Sequence, residues 1–160
     1  MDSLAKLQQL HPALRDVAIA AYNEAVAATP TGVHPVIDQT LRSFEESDKL
    51  YQQGRTTPGP IVSNAKAGQS WHNYGLGIDF HLQVNGKDVW PNHPEQDADW
   101  MTVVNIFKKH GFNWGGEFPG TFKDYPHLEN KLGHTLAQLE EAYAAKKFIP
   151  GTEYIDFSAL

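Results

Sequence analysis

Two short segments of the sequence carry the side chains best suited to bind a metal ion. The first contains His72 and Asp79, and the second contains Asp124 and His127. Two imidazoles and one carboxylate, with an open fourth position, form a ligand set typical of catalytic zinc. His72, Asp79 and His127 are therefore the candidate metal ligands. Asp124, beside the metal but not bound to it, is suited to act as the general base on metal-bound water.

The spacing of these residues is also compatible with different sites. His-x6-Asp is not diagnostic of a metal site, and a capping aspartate with packed histidines accounts for the same residues. A non-haem iron oxygenase also uses two histidines and one carboxylate, usually as His-x-Asp. Here Asp79-x-His81 has the reverse order, which disfavours that class. A metal-containing binding module without catalysis is a further alternative, and the presence of Asp124 beside His127 argues against it.

A predicted β-strand positions Asp79. Apolar residues alternate with other residues over positions 76–84, and a period of two is typical of a half-buried strand. Asn85 and Gly86 then predict a two-residue hairpin turn, because both residue types tolerate positive φ. Asp79 thus points away from the apolar layer. His81 shares its face and is a rival ligand, although a supporting or structural role is favoured.

The remaining candidates lie in irregular segments. A glycine-containing loop can fold His72 back toward Asp79. Asp124 and His127 are three residues apart and would face oppositely in a regular strand. Because proline inside a strand forces an edge or a bulge, we expect a bulge at Pro126 to bring both side chains to one site.

Helices are predicted around this strand by apolar periodicity and capping signals. Ser43 and Glu46 form a capping box, so Arg42 lies at a strand-to-helix junction, where functional side chains are often presented. A surface arginine paired with Glu45 or Glu46 is the competing interpretation. The predicted helices cover about 3–10, 12–29, 43–53, 97–110 and 133–147, and a short strand is predicted at 36–41.

Composition indicates one globular domain spanning residues 1–160. The chain has 41% hydrophobic and 20% charged residues and is long enough for a sizeable core. The net charge of −6 argues against a nucleic-acid-binding surface, which is usually basic. The absence of cysteine excludes disulfides and thiolate metal sites. No secretory signal and no stretch of ~20 apolar residues is recognised, so we expect synthesis in the cytoplasm.

The two motifs resemble those of a known enzyme family. Ser70-x-His72-x-x-Gly75-x-x-x-Asp79 is similar to the first motif of the zinc D-Ala-D-Ala carboxypeptidase and dipeptidase family, and Asp124-x-x-His127 resembles the second. The wider match is to the L-alanyl-D-glutamate endopeptidase branch, which includes phage endolysins and bacterial cell-wall peptidases. The matching residues lie at 42–43, 50–56, 70–80, 111–116 and 124–129.

The resemblance implies a fold and a site. The fold would be α+β, with a small central antiparallel sheet that carries the zinc site and is flanked by helices, as in D-Ala-D-Ala peptidases and hedgehog-like domains. His72, Asp79 and His127 would bind Zn²⁺. Asp124 would be the base, where much of the wider family has Glu, and Arg42 would stabilise the oxyanion with zinc. Relatives often have Gln where this chain has Ser47, which puts one substrate contact in doubt.

The resemblance also implies a substrate and a place of action. The chain would be a peptidase of the peptidoglycan stem peptide, cleaving the L-Ala-D-Glu bond in the manner of an endolysin. A D,D-carboxypeptidase or dipeptidase activity is the alternative within the same family. We expect a monomer without a separate wall-binding domain, acting on the wall after holin-type release or another export route.

Overall fold

The structure is a computed structural model that describes residues 2–160. Within that range, five strands form one sheet in the order β1-β2-β5-β4, with β3 paired to the end of β2, and every pairing is antiparallel. Helices α1–α5 span Ser3–Leu7, Pro12–Ala28, Phe44–Gln52, Ala98–Lys109 and Leu136–Ala144, and strands β1–β5 span Val33–Gln39, Gly77–Val84, Lys87–Val89, Asn113–Trp114 and His127–Glu129.

Strand β2 lies in the interior of the sheet. One of its faces packs on the hydrophobic core, and the other carries polar side chains. Its apolar residues Ile78 and Phe80 are fully buried, and the Phe80 ring lies 4.5 Å from the ring of Trp100 on α4. Asp79 and His81 alternate with them and take the other face, as predicted. The hairpin turn after β2 is also as predicted, since the two residues at its tip both have positive φ.

Local capping explains where the helices begin. The predicted capping box is present before α3, where Ser43 accepts from the amide of Glu46 and the Glu46 carboxylate accepts from the amide of Ser43. A second capping box, between Thr135 and Gln138, opens α5. Helix α2 buries a stripe of small residues and Leu14, which lets it pack closely on the sheet and on α4.

Three predicted elements have the wrong bounds. The last helix covers Leu136–Ala144 and not 133–147, because the Thr135 side chain caps its first turn. The first helix ends at Leu7 and not near 10. Asp2 caps it, and the Ser3 hydroxyl accepts from the amide of Ile37. Strand β1 covers Val33–Gln39 and not 36–41, because its pairing with β2 begins at the hairpin end and is interrupted by a bulge before Gln39. In the described residues, we find no helix long and apolar enough to cross a membrane.

Candidate metal centre

Three side chains from different parts of the chain converge on the polar face of the sheet. Asp79 on β2 is directly opposite His127 on β5, and His72 lies in a 3-10 turn, Trp71–Tyr74, that precedes β2. Oδ1 of Asp79 lies 3.2 Å from Nε2 of His72 and 3.1 Å from Nδ1 of His127. One donor atom from each residue lies within 4.8 Å of the other two, a spacing that suits a single metal ion.

The first motif shapes the turn that presents His72. The Ser70 hydroxyl accepts from the amide of His72 at 3.3 Å and caps the turn. Gly75 ends the turn with φ +68°, and a Cβ there would lie 2.6 Å from the backbone nitrogen of His11. Glycine at position 75 is therefore required both by its conformation and by close backbone packing.

Hydrogen bonds on the outer side of each imidazole fix which nitrogen faces the centre. Nδ1 of His72 lies 2.8 Å from the carbonyl of Thr40, and Nε2 of His127 lies 3.0 Å from a carboxylate oxygen of Glu129. Both outer nitrogens must donate, because their partners only accept. The remaining ring nitrogens point toward the carboxylate of Asp79, and each contact needs a proton or a cation between the two atoms. One divalent cation satisfies all three residues, so the donor set fits zinc.

The ionisable groups of the centre have shifted pKa values. Burial opposes ionisation of Asp79, but the imidazoles of His72 and His127 outweigh it and hold the pKa of that carboxyl well below its usual range. Burial opposes protonation of His127, but hydrogen bonds to Asp79 and Glu129 prevail and raise the pKa of the imidazole to about 9. Burial raises the pKa of Asp124 against the opposing attraction of His127.

Asp124 reaches the same cleft through a turn, so the predicted bulge is wrong. The amide of His127 donates to the carbonyl of Asp124 at 3.1 Å, which closes a four-residue turn before β5. The indole of Trp114 donates to the carbonyl of Tyr125 at 2.7 Å and holds this turn against the sheet.

Gly115 allows this turn to approach β4. Its carbonyl accepts from the amide of Asp124 at 3.0 Å, and a Cβ on Gly115 would lie 2.1 Å from the carbonyl oxygen of Asp124. Any side chain at position 115 would therefore push the turn away. The segment 111–116 of the sequence, recognised only by resemblance, thus supports Asp124.

Arg42 lies at the centre and not on the surface. Its Nε donates to Oε1 of Gln39 at 3.0 Å, Nη2 bonds the same oxygen, and Nη2 lies 3.9 Å from Oδ2 of Asp79. The backbone of Arg42 is tied to the first motif, since its amide donates to the carbonyl of His72 and its carbonyl accepts from Asn73. The competing interpretation, a surface arginine paired with Glu45 or Glu46, is not observed.

His81 lies outside the metal cluster. Its Nδ1 is 2.9 Å from both carboxylate oxygens of Asp38, and its Nε2 is 3.0 Å from Asp88 in an ion contact without hydrogen-bond geometry. Ser47 is buried, and its hydroxyl accepts from the side-chain amide of Asn73 at 2.8 Å.

A cleft of about 930 Å³ opens over the centre. The three candidate ligands, Arg42 and Asp124 all line it. Among the aromatic side chains of the two motifs and of β4, Trp71 lines the cleft, whereas Tyr74 and Trp114 are buried in the core. Three exposed apolar side chains also line the cleft, namely Ile61, Val62 and Phe122.

The sequence is similar to that of a known family of peptidases. The family model described as D-alanyl-D-alanine carboxypeptidase matches residues 63–130. The peptidoglycan L-alanyl-D-glutamate endopeptidase CwlK of Bacillus subtilis (strain 168) is 46% identical in an alignment of 125 residues that covers 75% of this chain and 72% of that protein.

Two solved structures share the fold. The Serratia marcescens L-Ala D-Glu endopeptidase ChiX matches with a TM-score of 0.55 and 22% identity over 87% of this chain and 90% of its own. The vancomycin-resistance D,D-dipeptidase VanXYg, in complex with a D-Ala-D-Ala phosphinate analogue, matches with a TM-score of 0.54 and 19% identity over 88% of this chain and 61% of its own. These similarities confirm the predicted α+β class. The match to the family model and the identity to CwlK lead to one conclusion: this chain belongs to the D-alanyl-D-alanine carboxypeptidase family of metallopeptidases, as its two motifs predicted.

Proposed function

We propose that this chain is a zinc-dependent peptidase that hydrolyses the L-alanyl–D-glutamate bond of peptidoglycan stem peptides. The observation that carries the proposal is the convergence of His72, Asp79 and His127 in a cleft that also contains Asp124. The choice of bond is supported by the 46% identity to a peptidoglycan L-alanyl-D-glutamate endopeptidase.

His72, Asp79 and His127 would hold the zinc ion. Zinc in such a site supplies Lewis-acid polarisation of the scissile carbonyl and makes a water molecule more acidic. The Thr40 carbonyl and the Glu129 carboxylate hold the two imidazoles in the required tautomers. The proposed cofactor is therefore one Zn²⁺ ion held by the side chains of His72, Asp79 and His127.

Asp124 would move the proton. Its carboxylate takes the proton of the attacking water and returns it to the departing amine of the D-glutamyl residue. Burial raises the pKa of Asp124, which makes its carboxylate a stronger base than an exposed aspartate. Glu129 is unsuited to this role because it is bound to the outer nitrogen of His127, and Glu117 is paired with Lys108.

Arg42 would stabilise the negative charge that develops on the carbonyl oxygen. Its side chain is 13% exposed and lines the cleft, and Gln39 fixes its orientation through two hydrogen bonds to one oxygen. A charge held in a partly desolvated site acts more strongly than one in water.

The proposed substrate determines where the protein would act. Peptidoglycan lies outside the cytoplasmic membrane, so cleavage requires release by a holin-type pathway or another export route. Bacteriolytic, endolysin-like action is the expected consequence of cutting stem peptides. We also propose that residues 1–160 form a single catalytic domain and that the protein acts as a monomer.

A pentapeptide with both candidate bonds tests this function. L-Ala-D-Glu-L-Lys-D-Ala-D-Ala, with the D-glutamyl residue joined through its side-chain carboxyl, is incubated with the zinc-loaded protein and analysed by mass spectrometry. Free L-alanine and the residual tetrapeptide are expected. Release of D-alanine alone would instead establish the D,D-carboxypeptidase activity that the family description names.

A further inference from the structure

Lys131 lies beside the candidate metal centre and has no role in the proposed reaction. It follows β5 and lines the cleft, and its side chain is 47% exposed. Its Nζ is 3.3 Å from Oε1 of Glu129 and 5.2 Å from the centre of the Trp71 ring. The other oxygen of Glu129 bonds His127, so the ammonium group is held two contacts away from a candidate ligand.

The charge of the cleft favours an anionic substrate group. Among its described lining residues, Arg42 and Lys131 are the basic side chains other than histidine, and Asp79, Asp124 and Glu129 are the acidic ones. A divalent cation added to the two basic groups outweighs the three carboxylates. The cleft would thus attract an anion although the chain as a whole carries a charge of −6.

In the proposed reaction Arg42 is assigned to the oxygen of the scissile carbonyl, which leaves Lys131 to meet a further anionic group of the substrate. The guanidinium of Arg42 bonds Gln39 through two nitrogens and faces Asp79. The ammonium of Lys131 has three donors, of which Glu129 takes one. The face of Trp71 restricts the lysine and adds a cation–π contact without using its remaining donors.

Lys131 shares the cleft with Asp124, the residue that would protonate the departing half of the proposed substrate. Asp124 precedes β5 and Lys131 follows it, and β5 has three residues, so both flank the same strand. Asp124 must reach the amine of the D-glutamyl residue to protonate it. Because Asp124 and Lys131 line the same cleft, a D-glutamyl residue whose amine is within reach of Asp124 shares that cleft with the ammonium group of Lys131. The D-glutamyl residue has two carboxyl groups, and only one of them continues the peptide chain.

We propose that Lys131 is a specificity-determining residue that binds the free carboxylate of the D-glutamyl residue and discriminates against its amide. The inference rests on the proposed function and adds the chemical form of the substrate. An ammonium–carboxylate hydrogen bond is replaced, with the amide, by a weaker neutral contact. Because Lys131 does not touch the reacting bond, its loss raises KM and leaves kcat nearly unchanged.

Two peptides test the proposal: L-Ala-D-Glu-L-Lys with a free α-carboxylate and the same tripeptide with an α-carboxamide. For the zinc-loaded wild type, kcat/KM should favour the acid by about 10-fold to 100-fold. Lys131→Met should abolish this preference by lowering only hydrolysis of the acid, whereas Lys131→Arg should retain it. Lys87 on β3 is exposed and outside the cleft, so Lys87→Met is the matched control.

Other outcomes separate this inference from the proposed function. An unchanged acid-to-amide ratio in Lys131→Met would overturn the inference, and so would an equal loss on both peptides, which would place Lys131 in support of Glu129 and the metal. If the wild type cleaves neither peptide, calorimetric binding of the same two peptides decides. If the wild type binds the acid more tightly and Lys131→Met abolishes this preference, the carboxylate site stands and the endopeptidase activity is rejected. If the wild type binds the acid and the amide equally, the carboxylate site and the endopeptidase activity are both rejected.

Discussion

The carboxylate of Glu129 accepts a hydrogen bond from Nε2 of His127 at 3.0 Å, and both side chains are buried. This contact leaves Nδ1 of His127 as the nitrogen that faces Asp79. It also orients the ring, because the imidazole is held between carboxylates on its two sides. A carboxylate behind a histidine ligand makes that histidine a stronger donor to a metal ion.

Replacing Glu129 should weaken zinc binding without changing the ligands. Glu129→Gln keeps the size of the side chain and one acceptor oxygen but removes the charge behind His127. The zinc affinity should fall by about 10-fold to 100-fold, measured by competition with a chelating dye. Glu95→Gln, on an exposed 3-10 segment, is the control. An affinity equal to that of the wild type would show that Glu129 does not support His127.

Asp124→Asn should separate catalysis from metal binding. Asparagine keeps the size of Asp124 but cannot take a proton at neutral pH. Zinc content should be unchanged, while kcat falls by about 10²-fold to 10⁴-fold. Loss of zinc from this variant would make Asp124 a ligand, and wild-type turnover would place the base elsewhere.

Asp124→Glu tests how closely the base must approach. The carboxylate is retained, but its reach grows by one methylene, and the turn against Gly115 has no room to shift toward β4. Partial activity is expected, since a misplacement of ~1 Å can lower the rate by about 10²-fold. Full activity would show that the distance from Asp124 to the reacting water is not critical.

Substitutions of Arg42 and of Gln39 should both lower kcat. Arg42→Ala should lower kcat by about 10²-fold with zinc content and circular dichroism unchanged. Gln39→Leu retains Arg42 but removes both hydrogen bonds that orient its guanidinium, and a decrease in kcat of about 10-fold is expected. Arg42→Lys keeps the charge without the planar fork and should recover little. An unaltered kcat in Arg42→Ala would return this residue to a structural role.

His11 should make the free energy of unfolding depend on pH. Its Nε2 donates to the carbonyl of Ile155, its Nδ1 accepts from the amide of Ala13, and burial lowers the pKa of the imidazole. The unfolded chain then binds a proton more readily than the folded one. The stabilisation is complete above about pH 6.5 and decreases as the pH falls below that value. Denaturant unfolding from pH 7 to pH 5 should show a shallower pH dependence for His11→Gln, whereas identical slopes would contradict this role.

Part of the centre was predictable because its signals are local. The period of two in β2 places Asp79 on the polar face, and the Ser43 capping box places Arg42 at the start of α3. Glu129 also had a local signal, since it lies two residues from His127 on a strand and so shares its side. Only the family resemblance linked the segments far apart in sequence.

The rest depended on tertiary contacts that no local pattern encodes. The bulge in β1 places Gln39 opposite Asp79, where its side chain bonds Arg42. The turn that contains Asp124 packs against Gly115. The absence of a side chain at Gly115 is required only when the turn and the end of β4 come together in the fold. Lys131 has no distinguishing signal in the sequence, and only the fold brings it beside Trp71 in the cleft.

The most direct measurement is a zinc titration of the chelator-treated protein with hydrolysis of the L-Ala–D-Glu bond as the readout. Activity should be absent without metal, rise linearly, and saturate at about one zinc ion per chain. Alanine variants of His72, Asp79 and His127 should show neither tight zinc binding nor activity, and His93→Ala, at an exposed histidine, should behave as the wild type. Activity that survives chelation, or full zinc occupancy in all three ligand variants, would contradict a zinc peptidase built on these residues.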